Sequence, residues 1–173
     1  KLPPEYPQIS YERSLVYLEQ ELEAIRNIKQ VLEGLEVPFC MASNSAMKKI
    51  DFMLNKTEIM PLFEGRIFSS EMVARGKPEP DVYLHAAETM GVDPARCLVV
   101  EDSIPGVTAG VAAGMTVLGF TGGSHHDHMD VKDLLLELGA RELFDDMTKL
   151  PQLIAHYRQK QAQSGLKWLF FLG

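Results

Sequence analysis

Three sets of side chains along this sequence could meet a phosphoryl group or a hard metal ion. Glu101 and Asp102 stand directly after the apolar run Cys97–Val100. Adjacent carboxylates at a buried strand end repel one another unless a positive group compensates them. A hard divalent cation does so, and Mg2+ takes one or two protein carboxylates alongside phosphate oxygens and waters. The same residues could instead serve a helix, with Asp102 or Ser103 accepting from the first turn of the next one. Lys77 lies in Gly76-Lys77-Pro78-Glu79-Pro80. On so stiff a loop it could hold a phosphoryl group as a point charge, or it could be a solvated surface lysine. Ser43 and Asn44 follow the apolar run Val37–Ala42. They could offer hydroxyl, amide and backbone N–H groups to a phosphate at a helix N-terminus, or cap that helix.

The elements that must position these groups alternate along the chain. Val37–Ala42, Cys97–Val100 and Met115–Phe120 are continuous apolar runs of strand length, and Arg66–Ser69 and Leu143-Phe144 are shorter ones. Lys1–Ser10, with Pro3, Pro4 and Pro7, is expected not to be helical. Leu15, Leu18, Leu22 and Ile25 then recur at helical spacing, and Ile28, Leu32 and Leu35 continue the stripe to Gly34, with a break expected near Leu22–Ala24. Ser43-Asn44-Ser45 are placed to cap a helix over about Ala46–Asn55. Pro80 opens a helix with the stripe Tyr83, Ala86, Ala87 and Met90, closed by Gly91. Ile104, Val107 and Val111 mark the next, closed by Gly114; Val131–Leu138 and Leu150–Tyr157 mark the last two. Helices alternating with continuously apolar strands predict an α/β fold, a doubly wound parallel sheet with helices on both faces. Ligands of such sheets bind beyond the carboxyl ends of the strands, and all three sets of residues fall there.

Taken in order, apolar strand–Ser43-Asn44, Gly76-Lys77-Pro78-Glu79-Pro80-Asp81 and Val100-Glu101-Asp102-Ser103-Ile104-Pro105-Gly106 resemble motifs two, three and four of the haloacid-dehalogenase superfamily. The wording is similar to the branch with an α-helical cap, which includes β-phosphoglucomutase-like and sugar-phosphate phosphatases. The resemblance covers roughly Leu22 to Tyr157. It implies that Ser43 and Asn44 bind the transferring phosphoryl group, and that Lys77 neutralises charge at the reacting centre. It implies further that Asp102 ligates Mg2+, with Glu101 as the second acidic group. Phosphoryl transfer is catalysed mainly by positioning and charge stabilisation, so these groups make chemical sense together.

The family's first motif, an apolar strand ending in Asp-x-Asp, has no counterpart before Ser43. The resemblance therefore divides the chain into a remnant of the helical cap and linker at 1–21, a haloacid-dehalogenase-like α/β core lacking its first strand at 22–160, and a C-terminal tail at 161–173. In the family that strand lies between those expected at Val37–Ala42 and Cys97–Val100. Its loss would leave two lines of unpaired backbone groups and a slot in the core. Either the sequence is a fragment, or another segment or another chain fills the slot.

The expected activity of the intact form is Mg2+-dependent hydrolysis of a small phosphorylated metabolite, with the 173 residues themselves inactive. A phosphomutase shares every residue named, and a non-catalytic binding module is the reading from another class. Chain order argues against a signalling receiver domain, since Lys77-Pro78 precedes the acids. The net charge of −7 argues against nucleic acid, because phosphate neutralisation needs clustered Lys and Arg. No apolar stretch reaches membrane-spanning length, and a cytoplasmic location is expected. Cys40 and Cys97 sit in apolar runs and are expected to be buried thiols. His125-His126-Asp127-His128 could be a metal site, a substrate-touching loop or a solvated loop, and the apolar Leu166–Gly173 stretch could pack on the domain or on a partner.

Overall fold

The computed structural model describes residues 6–123, 129–160 and 169–172. Six strands form one wholly parallel sheet: β1 (Phe39–Ser43), β2 (Ile67–Ser69), β3 (Cys97–Glu101), β4 (Thr116–Phe120), β5 (Glu142–Phe144) and β6 (Leu169–Leu172). Their order across the sheet is β2-β1-β6-β3-β4-β5. The helices are α1 (Tyr6–Glu21), α2 (Ile28–Glu33), α3 (Met47–Lys56), α4 (Met60–Phe63), α5 (Asp81–Met90), α6 (Ile104–Ala112), α7 (Met129–Glu137) and α8 (Leu150–Lys160). The doubly wound α/β sheet expected from the pattern is what forms.

The strands are mainly apolar because helices cover both faces of the sheet. One layer joins Ile28, Val31 and Leu32 of α2, Ile50 and Leu54 of α3, Phe63 of α4, and Leu150 and Ile154 of α8 to Phe39, Leu98, Val100, Leu118 and Phe120 of the sheet. The opposite layer joins Val82, Tyr83, Ala86 and Ala87 of α5, Val107 and Ala109 of α6 and Leu135 of α7 to Cys40, Ala42, Cys97, Val99 and Val117. Successive strand residues feed opposite layers, as the pleat requires.

The slot between β1 and β3 is filled by the chain itself. β6 pairs with β1 through Phe39↔Phe170, Cys40↔Phe171 and Met41↔Leu172, and with β3 through Cys97↔Leu169, Leu98↔Phe170, Val99↔Phe171 and Val100↔Leu172. Phe170 and Leu172 enter the first layer, and Leu169 and Phe171 the second. Of the alternatives left open for the apolar C-terminal stretch, packing on the domain is the one realised. The physical reason is that a central strand must satisfy two neighbours' backbone groups and bury both its faces. Four consecutive large apolar residues do both.

Two local expectations are corrected. The first helix begins at Tyr6, not after Ser10: Pro7 falls in the first turn, where its missing N–H is not needed. Nor do Ser43-Asn44-Ser45 cap α3. Its N-cap is Ala46, which gives no side-chain bond, and the Met47 N–H donates to Glu71 Oε2 at 2.8 Å. The break near Leu22–Ala24 is present, and Gly91 closes α5 at φ 67°, a left-handed position natural to glycine. The short α4 was not anticipated. The His125–His128 loop, Trp168 and Gly173 lie outside the described residues.

Candidate active site

The site is built where β1, β6 and β3 end. Met41 and Val100 are the partners of Leu172, so Ala42 and Glu101 lie one residue further toward the carboxyl edge. Lys77 spans that gap. Its Nζ donates to the Ala42 carbonyl at 2.8 Å and to Glu101 Oε1, and it stands 4.6 Å from the centroid of the Tyr83 ring. The Lys77 side chain is 5% exposed and that of Glu101 1%, so this is a buried ion pair and not a solvated lysine.

The loop that carries Lys77 is clasped to the loop after β1 at two points. The Lys77 N–H donates to Asn44 Oδ1 at 2.7 Å, and Asn44 Nδ2 donates to the Lys77 carbonyl at 2.8 Å. Outside the clasp, Arg75 holds Asp81 through Nε and Nη2, fixing the loop to the start of α5. The loop after β1 is in turn held by residues at the end of β2. Ser69 Oγ donates to the Ser45 carbonyl at 2.7 Å, and Ser70 Oγ to the Asn44 carbonyl at 2.9 Å. Ser43 Oγ accepts from the Ser45 N–H at 3.2 Å, which still leaves its own O–H to donate.

Glu101 is 2% exposed at the end of β3, and both oxygens of its carboxylate accept hydrogen bonds from neighbouring side chains. Oε1 accepts from Lys77 and from Tyr83 OH at 2.5 Å; Oε2 accepts from Ser103 Oγ at 3.0 Å. The sequence reading placed Glu101 with Asp102 as a metal group, whereas here its charge faces Lys77. Burial, and then the negative charge of Glu101, push the Tyr83 phenol well above its ordinary range, so it stays protonated and donates. Ser103 also accepts from the Gly106 N–H at 3.1 Å and so caps α6. Ser103, one of the two residues weighed as a cap for the next helix, is its N-cap.

Asp102 is half-buried beside this network. With Glu101 it borders a cavity of about 220 Å³ at the same edge, whose walls include Ile25, Met41, Met53, Phe120 and Leu172. The structure therefore brings Asn44, Lys77 and Glu101 into direct contact, sets Ser43 in the clasped loop at the end of β1, and sets Asp102 on the cavity side. Sequence reasoning missed Tyr83 and Glu71. Tyr83 was counted as one more apolar residue of the α5 stripe, although a buried phenol nearly always needs a hydrogen-bond partner.

Gly106 is required by Glu101. A Cβ at Gly106 would lie 1.9 Å from Glu101 Cδ and 2.0 Å from both carboxylate oxygens. Gly106→Ala must therefore displace the carboxylate or the first turn of α6. We expect it to destabilise the fold by at least about 2 kcal/mol, read from denaturant unfolding. An unchanged midpoint would show that α6 does not press on Glu101.

Comparison with known proteins identifies a family. The model of the haloacid dehalogenase-like hydrolase family matches residues 5–114. The chain is 33% identical over 108 residues to 6-phosphogluconate phosphatase of Escherichia coli, covering 62% of this chain and 49% of that enzyme. It thus spans about half the length of that relative. Among solved structures, a haloacid dehalogenase-like protein of unknown function from Agrobacterium tumefaciens superposes with a TM-score of 0.83 at 37% identity, over 91% of this chain and 71% of that one. A hydrolase of the same family from Deinococcus radiodurans, solved with bound phosphate and sodium, superposes with a TM-score of 0.76 at 32% identity, over 89% and 68%. The strand order, the lysine bridging two strand ends and the family match over most of the chain lead to one assignment: the chain belongs to the haloacid dehalogenase-like hydrolase family.

Proposed function

We propose that this site serves Mg2+-dependent phosphoryl transfer from a small sugar or organic phosphate, and that residues 1–173 by themselves bind the anion without turning it over. The observation that carries the reading is the buried Lys77 ammonium spanning the ends of β1 and β3. Two of its three N–H groups are engaged by Ala42 and Glu101, and the third would be the one to meet a phosphoryl oxygen. Ser43 adds a hydroxyl, and Asn44 fixes the loop from which Lys77 acts. A preorganised cation in a water-poor site stabilises transferring charge far better than a solvated one. The phosphate bound by the Deinococcus relative supports the ligand class.

The residues present fit a magnesium ion. Asp102 offers a hard carboxylate at the cavity edge, and Mg2+ needs only one or two such ligands, filling its shell with waters and phosphate oxygens. With Glu101 turned to Lys77, Asp102 would be the protein's principal ligand. Bound there, Mg2+ would neutralise charge on the phosphoryl oxygens. The chain's own part is to hold the anion at Lys77 and Ser43 and to keep Glu101 from repelling it, which the Lys77 and Tyr83 bonds to Glu101 achieve.

Calorimetry with inorganic phosphate and MgCl2 tests the binding half, and a phosphate-release assay tests the absence of turnover by residues 1–173. In a form with the family's first motif joined upstream, phosphate release, compared with isomerisation of a sugar phosphate, separates phosphatase from mutase. There Asp102→Asn should raise the Mg2+ needed for half-maximal rate at least about tenfold, because an amide is a poor ligand for a hard dication. Unchanged Mg2+ dependence would remove Asp102 from the metal site, and robust turnover by residues 1–173 would refute the proposed inactivity.

A further inference from the structure

We infer that the C-terminal strand β6 positions the anion site: Phe171 seats the Tyr83 ring, and Tyr83 holds the Glu101 carboxylate against the Lys77 ammonium. The inference rests on the reading of Lys77 as an anion-binding group, and it adds a dependence on the last strand of the sheet.

The contacts run without a gap. Phe171 is fully buried, and its backbone is fixed by pairing to Cys40 on one side and Val99 on the other. Its ring meets the Tyr83 ring edge-on, with centroids 5.4 Å apart and planes at 86°. The Tyr83 hydroxyl donates to Glu101 Oε1 at 2.5 Å, the same oxygen that accepts from Lys77 Nζ. The Tyr83 ring also lies 4.6 Å from that Nζ.

Tyr83 thus touches both members of the ion pair, one through its hydroxyl and one through its ring. Both contacts depend on where the ring sits, and Phe171 sets that from the side of the sheet. Were β6 to shift or leave, Tyr83 would have room to tilt. The Glu101 oxygen would then lose a charge-assisted bond, and Lys77 its aromatic support. Interactions inside a low-dielectric site are strong enough for such a tilt to matter. Tyr83 and Phe171 are positioning residues here; neither needs to touch the bound anion.

Phe170 provides a matched control. It is on the same strand and equally buried, but it packs in the opposite layer, away from Tyr83. Tyr83→Phe, Phe171→Leu and Phe170→Leu would be made in the full chain, with unfolding measured for each to fix conditions where all are folded. Two readouts follow: the affinity for inorganic phosphate in saturating Mg2+, and hydrogen exchange of the Lys77 ammonium by nitrogen-15 NMR, assigned by its loss in Lys77→Arg. We expect Tyr83→Phe and Phe171→Leu to weaken phosphate about tenfold, the scale of one lost hydrogen bond to a charged group, and to speed ammonium exchange. Phe170→Leu should lose stability but change neither readout. If Phe171→Leu and Phe170→Leu behave alike in both, β6 is structural filling and the inference is overturned. If the parent chain binds no phosphate, the functional reading fails while the exchange rates still decide this one.

Discussion

Phe171→Asp is expected to leave the chain without a cooperative native state. The side chain is fully buried between β1 and β3. Removing a buried aromatic ring costs about 3–5 kcal/mol by itself, and a carboxylate at that position would be buried among the apolar side chains of α5, α6 and the sheet. Together these exceed much of the roughly 5–15 kcal/mol that holds an ordinary domain folded. The two cysteines report the event directly. Cys40 is the partner of Phe171 and Cys97 the partner of Leu169, and both are buried thiols on the strands flanking β6. Burial pushes the Cys97 thiol up to about 12 and the Cys40 thiol higher still, so in the native chain neither presents a thiolate near neutral pH. Both should resist a thiol reagent in the parent and react promptly in Phe171→Asp. Val16→Asp, at a residue 59% exposed on α1, introduces the same charge and should change nothing. A Phe171→Asp chain with protected thiols and a normal unfolding transition would contradict the central placement of β6.

Lys77→Ala is expected to act on stability and binding together, and the two effects can be separated. Its partner Glu101 is buried, and removing one member of a buried pair typically costs about 3–5 kcal/mol, because the other is left uncompensated. Tyr83 and Ser103 still donate to Glu101, which places the loss toward the lower end of that range. Lys77→Met with Glu101→Gln removes both charges while keeping the volumes, and should recover most of the stability. Inorganic phosphate binding should be lost in both, since neither restores a cation at the strand ends. If the double variant binds phosphate like the parent, Lys77 is a structural lysine and the proposed site is elsewhere. The ion pair alone does not decide between these outcomes, because a buried pair stabilises a fold little compared with a well-packed apolar pair.

Much of this molecule was legible along the chain, for a physical reason. The three longer strands expected from sequence, β1, β3 and β4, are covered on both faces, so their apolar residues are contiguous and visible. Helix ends were legible where the backbone demands a particular residue, as at Gly91. The candidate residues were legible because polar groups after such strands have one place to go, the carboxyl edge.

The tertiary structure decided what depends on contacts between distant residues. In isolation Lys77 reads as a solvated surface lysine. Its burial follows from two clasping bonds to Asn44, 33 positions earlier in the chain, and from Glu101, 24 positions later. The acidic pair reads as a pair, yet the Glu101 carboxylate is bonded to Tyr83 and Lys77, while Asp102 follows β3 beside the cavity that both residues border. The cap of α3 comes from Glu71, 24 positions later in the chain, which local chemistry at Ser43-Asn44-Ser45 could not reveal; the Asn44 side chain is engaged by Lys77 and Ser43 Oγ by the Ser45 N–H. The place of Leu169–Leu172 was open for the same reason. Its composition marked it as a segment that must be buried, but strand order is set by which neighbours have unpaired backbone groups and matching apolar faces. The sequence alone determined that the domain is a parallel α/β sheet with its candidate polar residues at the carboxyl edge. Only the folded arrangement decided that its central strand comes from the C-terminal stretch.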